Sequence, residues 1–240
     1  MLVKTSGIVL HTVKYNDSSS IITIYTRHYG KIAVRIYGVN KKKSIFRASF
    51  QQPLSILEID LFRLPGKEIQ RIKDVRMDYL FEELPFHPVK NSLAIFISEL
   101  LFRSLQQTEP DENLFLFLEN SIKQLDCCKS GLANFHLVFM LKLARYLGFE
   151  PNQETENGNY FDLMNGVFKY NRPLHTHFLL PEDTNNLQLL LSADYSNMNK
   201  IILSRENRAN LLKGMTDYFR LHIPEFHGLN SLAVLQSLFD

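Results

Sequence analysis

The run Ile21-Ile-Thr-Ile-Tyr-Thr-Arg-His-Tyr-Gly-Lys-Ile-Ala-Val-Arg-Ile-Tyr37, IITIYTRHYGKIAVRIY, decides the architecture of the first third of this 240-residue chain. Both halves are rich in β-branched and aromatic residues and alternate with a period of two, the pattern of strands that bury one face. Ile32, Val34 and Ile36 share one side of the second half, opposite Lys31, Ala33, Arg35 and Tyr37. In the first half Ile22, Ile24 and Thr26 oppose Thr23, Tyr25 and Arg27. His28-Tyr-Gly-Lys31 between them reads as a tight turn. With the isoleucines turned inward, the outer face presents Tyr25, Arg27, Arg35 and Tyr37.

Working outward, Ile8-Val-Leu-His-Thr-Val13 is a further strand, set off by the turn-forming Asn16-Asp-Ser-Ser-Ser20. Downstream, Leu54–Phe62 and Glu68–Arg76 flank a Pro65-Gly66 turn. About five short strands with hairpin-length turns predict a small all-β barrel or sandwich over residues 1–80. Composition then shifts at Leu84-Pro-Phe-His-Pro88, where two prolines rule out a central strand and Pro88 suits the first turn of a helix. Val89, Leu93, Phe96, Ile97, Leu100, Leu101 and Leu105 recur at helical spacing. A second helix follows Glu109-Pro-Asp111, and a third runs from Phe135 to Leu147 with Gly148 as its stop. The expectation is an α+β chain: a β-domain at 1–80 and a helical domain at 81–240, interrupted at 149–185 by an irregular insertion with a short hairpin around Asn165-Gly166. Ser204 caps a helix to about His222, and Ser231–Phe239 forms a terminal one.

Hydrophobic residues make up 45% and charged residues 22% of the chain, enough apolar content for a real core. No window approaches the ~18 consecutive apolar residues of a membrane span, and the start MLVKTSGIVLHTVKYN lacks the apolar centre of a secretory signal. The two cysteines, Cys127 and Cys128, are adjacent, a strained geometry for a structural disulfide, so a cytoplasmic compartment is expected. The net charge of +2 conceals an asymmetry. Residues 1–80 hold 14 Lys and Arg against 6 Asp and Glu, while the remainder holds 13 against 19. A basic first third points to an anionic partner: nucleic acid, an anionic membrane surface or an acidic protein.

That charge culminates in Asn40-Lys-Lys-Lys-Ser-Ile-Phe-Arg47, directly after the strand ending at Tyr37. Lys41, Lys42, Lys43 and Arg47 supply cations that displace counterions from phosphates without reading sequence. Tyr37 and Phe46 offer stacking faces for unpaired bases. A membrane-surface role wants an amphipathic helix beside the lysines, and strands flank them instead. The phosphate-loop, dinucleotide, zinc-protease and nucleophile-elbow signatures are absent. His175-Thr-His177 could form half a metal site, but nothing nearby completes it except Glu182 or Asp183. A nuclease would need clustered carboxylates, and Asp17, Glu58, Asp60, Glu68, Asp74 and Asp78 suggest no paired site.

Gly7-Ile-Val-Leu10, Tyr15-Asn-Asp17, Ile21–Thr26, Gly30-Lys31 and Gly38-Val-Asn-Lys-Lys-Lys-Ser44, in this order, resemble the amino-terminal domain of the bacterial RecO family. The likeness continues through Gln52-Pro53, Pro88–Leu105 and Leu143-x-x-Tyr-Leu-Gly-Phe-Glu-Pro151, and Phe226-His-Gly-Leu229 and Val234–Phe239 are similar to its Bacteroidetes branch. The resemblance implies an OB-fold followed by a helical domain, and a non-enzymatic mediator of DNA repair and recombination without a cofactor. It implies binding of single- and double-stranded DNA, annealing of complementary strands, and work with RecR to load RecA onto DNA coated by single-stranded-DNA-binding protein. DNA would meet Arg27, Arg35, Tyr37, Lys41, Lys42, Lys43 and Arg47. The acidic tail of the single-stranded-DNA-binding protein would dock on the helical domain, with Arg103, Lys142 and Arg145 as candidates. A nucleoid-associated, cytoplasmic location follows. The competing reading is an adaptor whose basic face binds an acidic protein tail. One departure stands out. Many members of the family carry four zinc-binding cysteines after the L-G-F-x-P motif, and Asn152–Leu180 has none here, so no metal is expected and packing alone should hold the hairpin.

Overall fold

The computed structural model describes residues 1–16, 19–37, 48–64, 66–105, 109–152 and 158–238. The chain divides into two compact units, Met1–Cys127 and Cys128–Asp240. The compositional break near Pro88 marks where strands give way to helices, and the first two helices belong to the same unit as the strands.

Strands β1 (Leu2–Asn16), β2 (Ser19–Thr26), β3 (Gly30–Tyr37), β4 (Ile56–Phe62) and β5 (Ile69–Met77) close into an OB-like barrel in the order β1-β2-β3-β5-β4. All neighbours are antiparallel except β3 and β5, which run parallel. Closure removes the open edges on which a five-stranded sheet would otherwise associate. β1 pairs with β4 through Leu2–Ile8 and with β2 from Gly7 onward, so it turns the barrel's corner at Gly7-Ile8. A Cβ on Gly7 would stand 2.6 Å from Ile24 Cγ2 and 3.1 Å from Ile59 Cδ1, which is why that corner takes glycine.

The interior is the one the alternation predicts: Ile22, Ile24, Val34 and Ile36 meet Val3, Val9, Leu57, Ile59 and Leu61. The exterior departs from expectation. Helices α1 (Pro88–Ser104) and α2 (Glu112–Cys127) cover part of it, with Pro88 at the start of α1. A register slip between Val9 and His11 leaves Leu10 buried outside the barrel core, where Ser98 of α1 donates to its carbonyl. Tyr25, expected on the open face, is 2% exposed and lies against Phe115 of α2 with ring centroids 6.4 Å apart. Burial pushes its phenol up to about 12.

The segment joining barrel to helix is pinned by one carboxylate. Asp126 accepts from the backbone N–H groups of Glu82, Glu83 and Leu84 at 2.7–2.9 Å and from the Tyr79 hydroxyl at 3.1 Å. Burial raises its pKa, but those donors outweigh burial and the net shift is downward. Beside it Lys90 is 1% exposed, is ion-paired with Glu83 at 2.7 Å and donates to the Asp126 backbone carbonyl.

The second unit holds α3 (Leu132–Tyr146), a three-stranded sheet of β6 (Tyr160–Asp162), β7 (Val167–Lys169) and β8 (Phe178–Leu179), then α4 (Pro181–Leu191), α5 (Arg205–His222) and α6 (Leu232–Leu238). Ser204 caps α5 by accepting from the Asn207 N–H at 3.0 Å. His136 is buried in α3, where burial and the Arg208 charge push it down to about 3 and hold it neutral.

The hairpin around Asn165-Gly166 forms, with Gly166 at φ +66°. Packing alone does not hold it. Asp162, fully buried, accepts from the N–H groups of Met164 and Asn165, from the Asn165 amide at 2.8 Å and from Lys169 at 2.6 Å. His175 Nε2 sits 3.2 Å from its other side. His175 Nδ1 accepts from the His177 N–H, which holds the ring beside Asp162 in an electrostatic contact without an aligned hydrogen bond from Nε2. The histidine is thus part of the cross-link. Among the described residues no group of three potential metal ligands converges, and no helix is long and apolar enough to cross a membrane.

Candidate nucleic-acid interface

Strand direction organises the barrel's surface. β3 and β5 both run toward the end where β1 finishes at Asn16 and β2 begins at Ser19. The segment 38–47 leaves from that end. Lys41, Lys42, Lys43 and Arg47 lie outside the described residues.

Val34 and Gln70, aligned across β3 and β5, both face inward, so the next aligned pair, Arg35 and Arg71, faces out. Arg35 leans away from its neighbour across β2. Its guanidinium makes long contacts to the buried Ser19 hydroxyl at 3.3–3.4 Å and lies over two rings, Tyr15 at 4.3 Å and Tyr37 at 5.0 Å. Ser19 is itself oriented by donating to Asn16 Oδ1 at 2.9 Å. Tyr15 and Tyr37 are 58% and 55% exposed, so these rings present stacking area to solvent while the cation holds them. On β5, Arg71 and Lys73 are exposed and form no ion pair among the described residues. The outward acids border this group: Glu58 on β4 is shared by Lys4 at 2.6 Å and Arg76 at 3.0 Å, and the exposed Asp74, further along β5, aligns with Asp60 of β4. The face made by β3 and by β5 up to Lys73 is therefore basic and aromatic, and β3 carries it to the strand end at Tyr37 that precedes the lysine segment.

Sequence reasoning found Arg35 and Tyr37 and missed Tyr15, Arg71 and Lys73. Tyr15 falls beside a register irregularity near the end of β1, where alternation cannot be followed. The β5 cations join the face only through the parallel β3–β5 pairing, which has no local signature. Arg27 is placed elsewhere: it follows β2 and is tied to Glu112 at the start of α2, with Nε 3.1 Å from Oε1. That hydrogen bond raises the arginine's pKa and lowers the glutamate's.

The other barrel end holds a cleft of about 240 Å³ that includes Lys31, Arg63 and Lys67 but also Glu68. Lys31 is already engaged, donating to the Phe102 carbonyl at 2.9 Å near the C-terminus of α1, a favourable place for a cation. Burial, then Arg103, lowers its pKa. The three partner-docking candidates fall in both units. Arg103 belongs to the first unit, 5.7 Å over the Phe102 ring, while in the second Lys142 lies 5.7 Å over Tyr195 and the exposed Arg145 is 3.7 Å from Glu150.

The fold defines a protein with an OB-like barrel at its amino-terminal end, followed by a helical region carrying a small three-stranded sheet. Comparison with known families makes this specific. The model of Recombination protein O N terminal matches residues 1–81, and that of Recombination protein O C terminal matches residues 86–232. DNA repair protein RecO of Phocaeicola vulgatus is 42% identical, that of Bacteroides fragilis 38%, and that of Christiangramia forsetii 31%, each over the whole of both chains. The chain belongs to the RecO family of DNA repair proteins.

Proposed function

We propose that this protein is a non-catalytic mediator of recombinational repair that grips DNA through the outward face of β3 and β5 and the lysine segment beyond it. The observation that carries this reading is the Arg35–Arg71 pair. The two arginines are aligned on neighbouring strands, and neither is ion-paired to a carboxylate among the described residues, so an anionic ligand would supply the countercharge. Phosphates are such a ligand, and cations in this arrangement bind them without reading sequence. Annealing needs no active site: a basic surface that holds two strands together lowers their mutual repulsion and raises their encounter rate. Membership of the RecO family supports the further steps, in which the protein works with RecR and the tail of single-stranded-DNA-binding protein so that RecA loads on gapped DNA in the cytoplasm.

The test is fluorescence anisotropy of labelled single-stranded DNA at several salt concentrations, followed by an annealing assay on complementary strands. Binding should fall steeply with salt. Replacing Lys41, Lys42 and Lys43 with alanine should flatten that dependence by about 0.7 in slope for each lysine that contacts a phosphate. Absence of binding at low salt, together with saturable binding of an acidic peptide, would overturn this reading in favour of an adaptor.

A further inference from the structure

Phosphate gripping does not explain why two large rings stand out from the same face. Exposed tyrosines are ordinary one at a time. Here Tyr15, from the end of β1, and Tyr37, from the end of β3, bracket a single guanidinium, with Arg35 4.3 Å from one ring and 5.0 Å from the other. The sandwich is braced by the Arg35–Ser19–Asn16 chain of contacts, which fixes the cation against β2. The rings are therefore pre-ordered, more than half exposed, and electrostatically prepared on a basic face.

We infer that the Tyr15–Arg35–Tyr37 stack is a base-stacking platform that gives this protein a preference for unpaired strands over duplex DNA. The inference rests on the proposed DNA-binding role and goes beyond it. Phosphates are common to single strands and duplexes, so Arg71, Lys73 and the lysine segment serve both. Base faces are open only in a single strand, because a duplex stacks them on one another. Stacking on tyrosine uses the π-face that every base has, so the preference is for strandedness and not for sequence. A guanidinium against the ring faces adds a cation–π contribution and limits ring motion that a flexible loop aromatic would have to lose on binding. For an annealing protein the consequence is directional: the platform holds the reactants, and the product, whose bases are buried, binds only through its phosphates.

The experiment compares three labelled 30-mers on the full-length protein: oligo(dT), an abasic strand of the same length, and a duplex. Wild-type protein should bind oligo(dT) more tightly than the abasic strand. Tyr15→Ala and Tyr37→Ala should each weaken oligo(dT) binding about tenfold. Both should leave abasic-strand and duplex affinity unchanged, and Tyr→Phe at either position should restore wild-type behaviour. Circular dichroism confirms that each variant is folded; where an Ala variant is not, Tyr→Leu at the same position, which keeps apolar bulk without a π-face, supplies the test with the same expected loss on oligo(dT) alone. Equal losses on all three ligands, or no loss on any, would overturn the platform while the phosphate-gripping role stood. Wild-type protein that binds none of the three at low salt would overturn the proposed function and the platform with it.

Discussion

Replacing Asp162 should unfasten the small sheet of the second unit. The carboxylate is fully buried and receives two backbone N–H groups, at 3.0 and 3.1 Å, the Asn165 amide and the Lys169 ammonium, with His175 beside it. Asp162→Ala removes all of these acceptors at once. Bonds to a charged group contribute ~1.5–3 kcal/mol each where the donors stay buried. Met164, Asn165 and the Lys169 side chain are solvent-accessible enough for water to recover part of that, so the loss should be about 2–4 kcal/mol. Asp162→Asn keeps an oxygen for the two N–H groups but turns an amide toward Lys169, and should fall between alanine and wild type. Burial raises the Asp162 pKa, but Lys169, Asn165 and His175 outweigh it and hold the carboxyl well below the usual range. A depressed native pKa gives stability that is complete above the unfolded value of ~3.9 and is lost as pH falls through the native one. The stability advantage of wild type over Asp162→Asn should therefore narrow only in strong acid. The assay is hydrogen exchange across residues 160–180 combined with urea denaturation, because two compact units need not unfold as one transition. A chelator should shift neither reading. Unchanged exchange in Asp162→Ala would refute the cross-link, and a chelator-induced loss of protection would show that a metal holds the hairpin instead.

Two further outcomes follow from the first unit. Arg71→Ala and Lys73→Ala should each reduce the salt slope of duplex binding by about 0.9, whereas Arg27→Ala, whose guanidinium is committed to Glu112, should leave that slope unchanged in the same anisotropy titration. Asp126→Ala strands three backbone donors and Tyr79, so it should cost ~3–5 kcal/mol by urea denaturation; with its pKa depressed in the fold, its contribution is present above ~3.9 and lost as pH falls through the native value.

The parts of this fold legible in the sequence are those set by local periodicity. Ile22, Ile24, Val34 and Ile36 alternate and do line the barrel, Pro88 opens α1, and Asn165-Gly166 makes its turn. What periodicity cannot show is what lies over the other face of a strand. Tyr25 reads as an exposed aromatic until α2, starting 87 positions later in the chain at Glu112, brings Phe115 against it. The same blindness hid Asp126 and Asp162. A single aspartate carries no pattern, and its role depends on which backbone donors tertiary structure delivers to it. The absence of cysteines from Asn152–Leu180 was visible, but not the substitute: a buried carboxylate reached by Lys169 from one side and His175 from another.

The charge layout on the barrel argues that stability alone did not shape it. On β4 and its neighbours Lys4 and Arg76 both close on Glu58, and Asp60 and Asp74 align beside them, so that region carries the barrel's anions. On β3 and β5 the same barrel sets Arg35 beside Arg71, adds Lys73, and turns the guanidinium it does anchor onto two exposed rings rather than a carboxylate. A sequence optimised only for folding would place an acid opposite one of those arginines, since like charges across a strand pair cost stability and opposite ones contribute. Local rules broken without compensation inside the chain mark sites whose compensation comes from outside it. A face that is cationic, ring-bearing and built on a rigid closed barrel is complementary to a ligand with repeated negative charge and flat apolar surfaces, which is the description of an unpaired nucleic-acid strand.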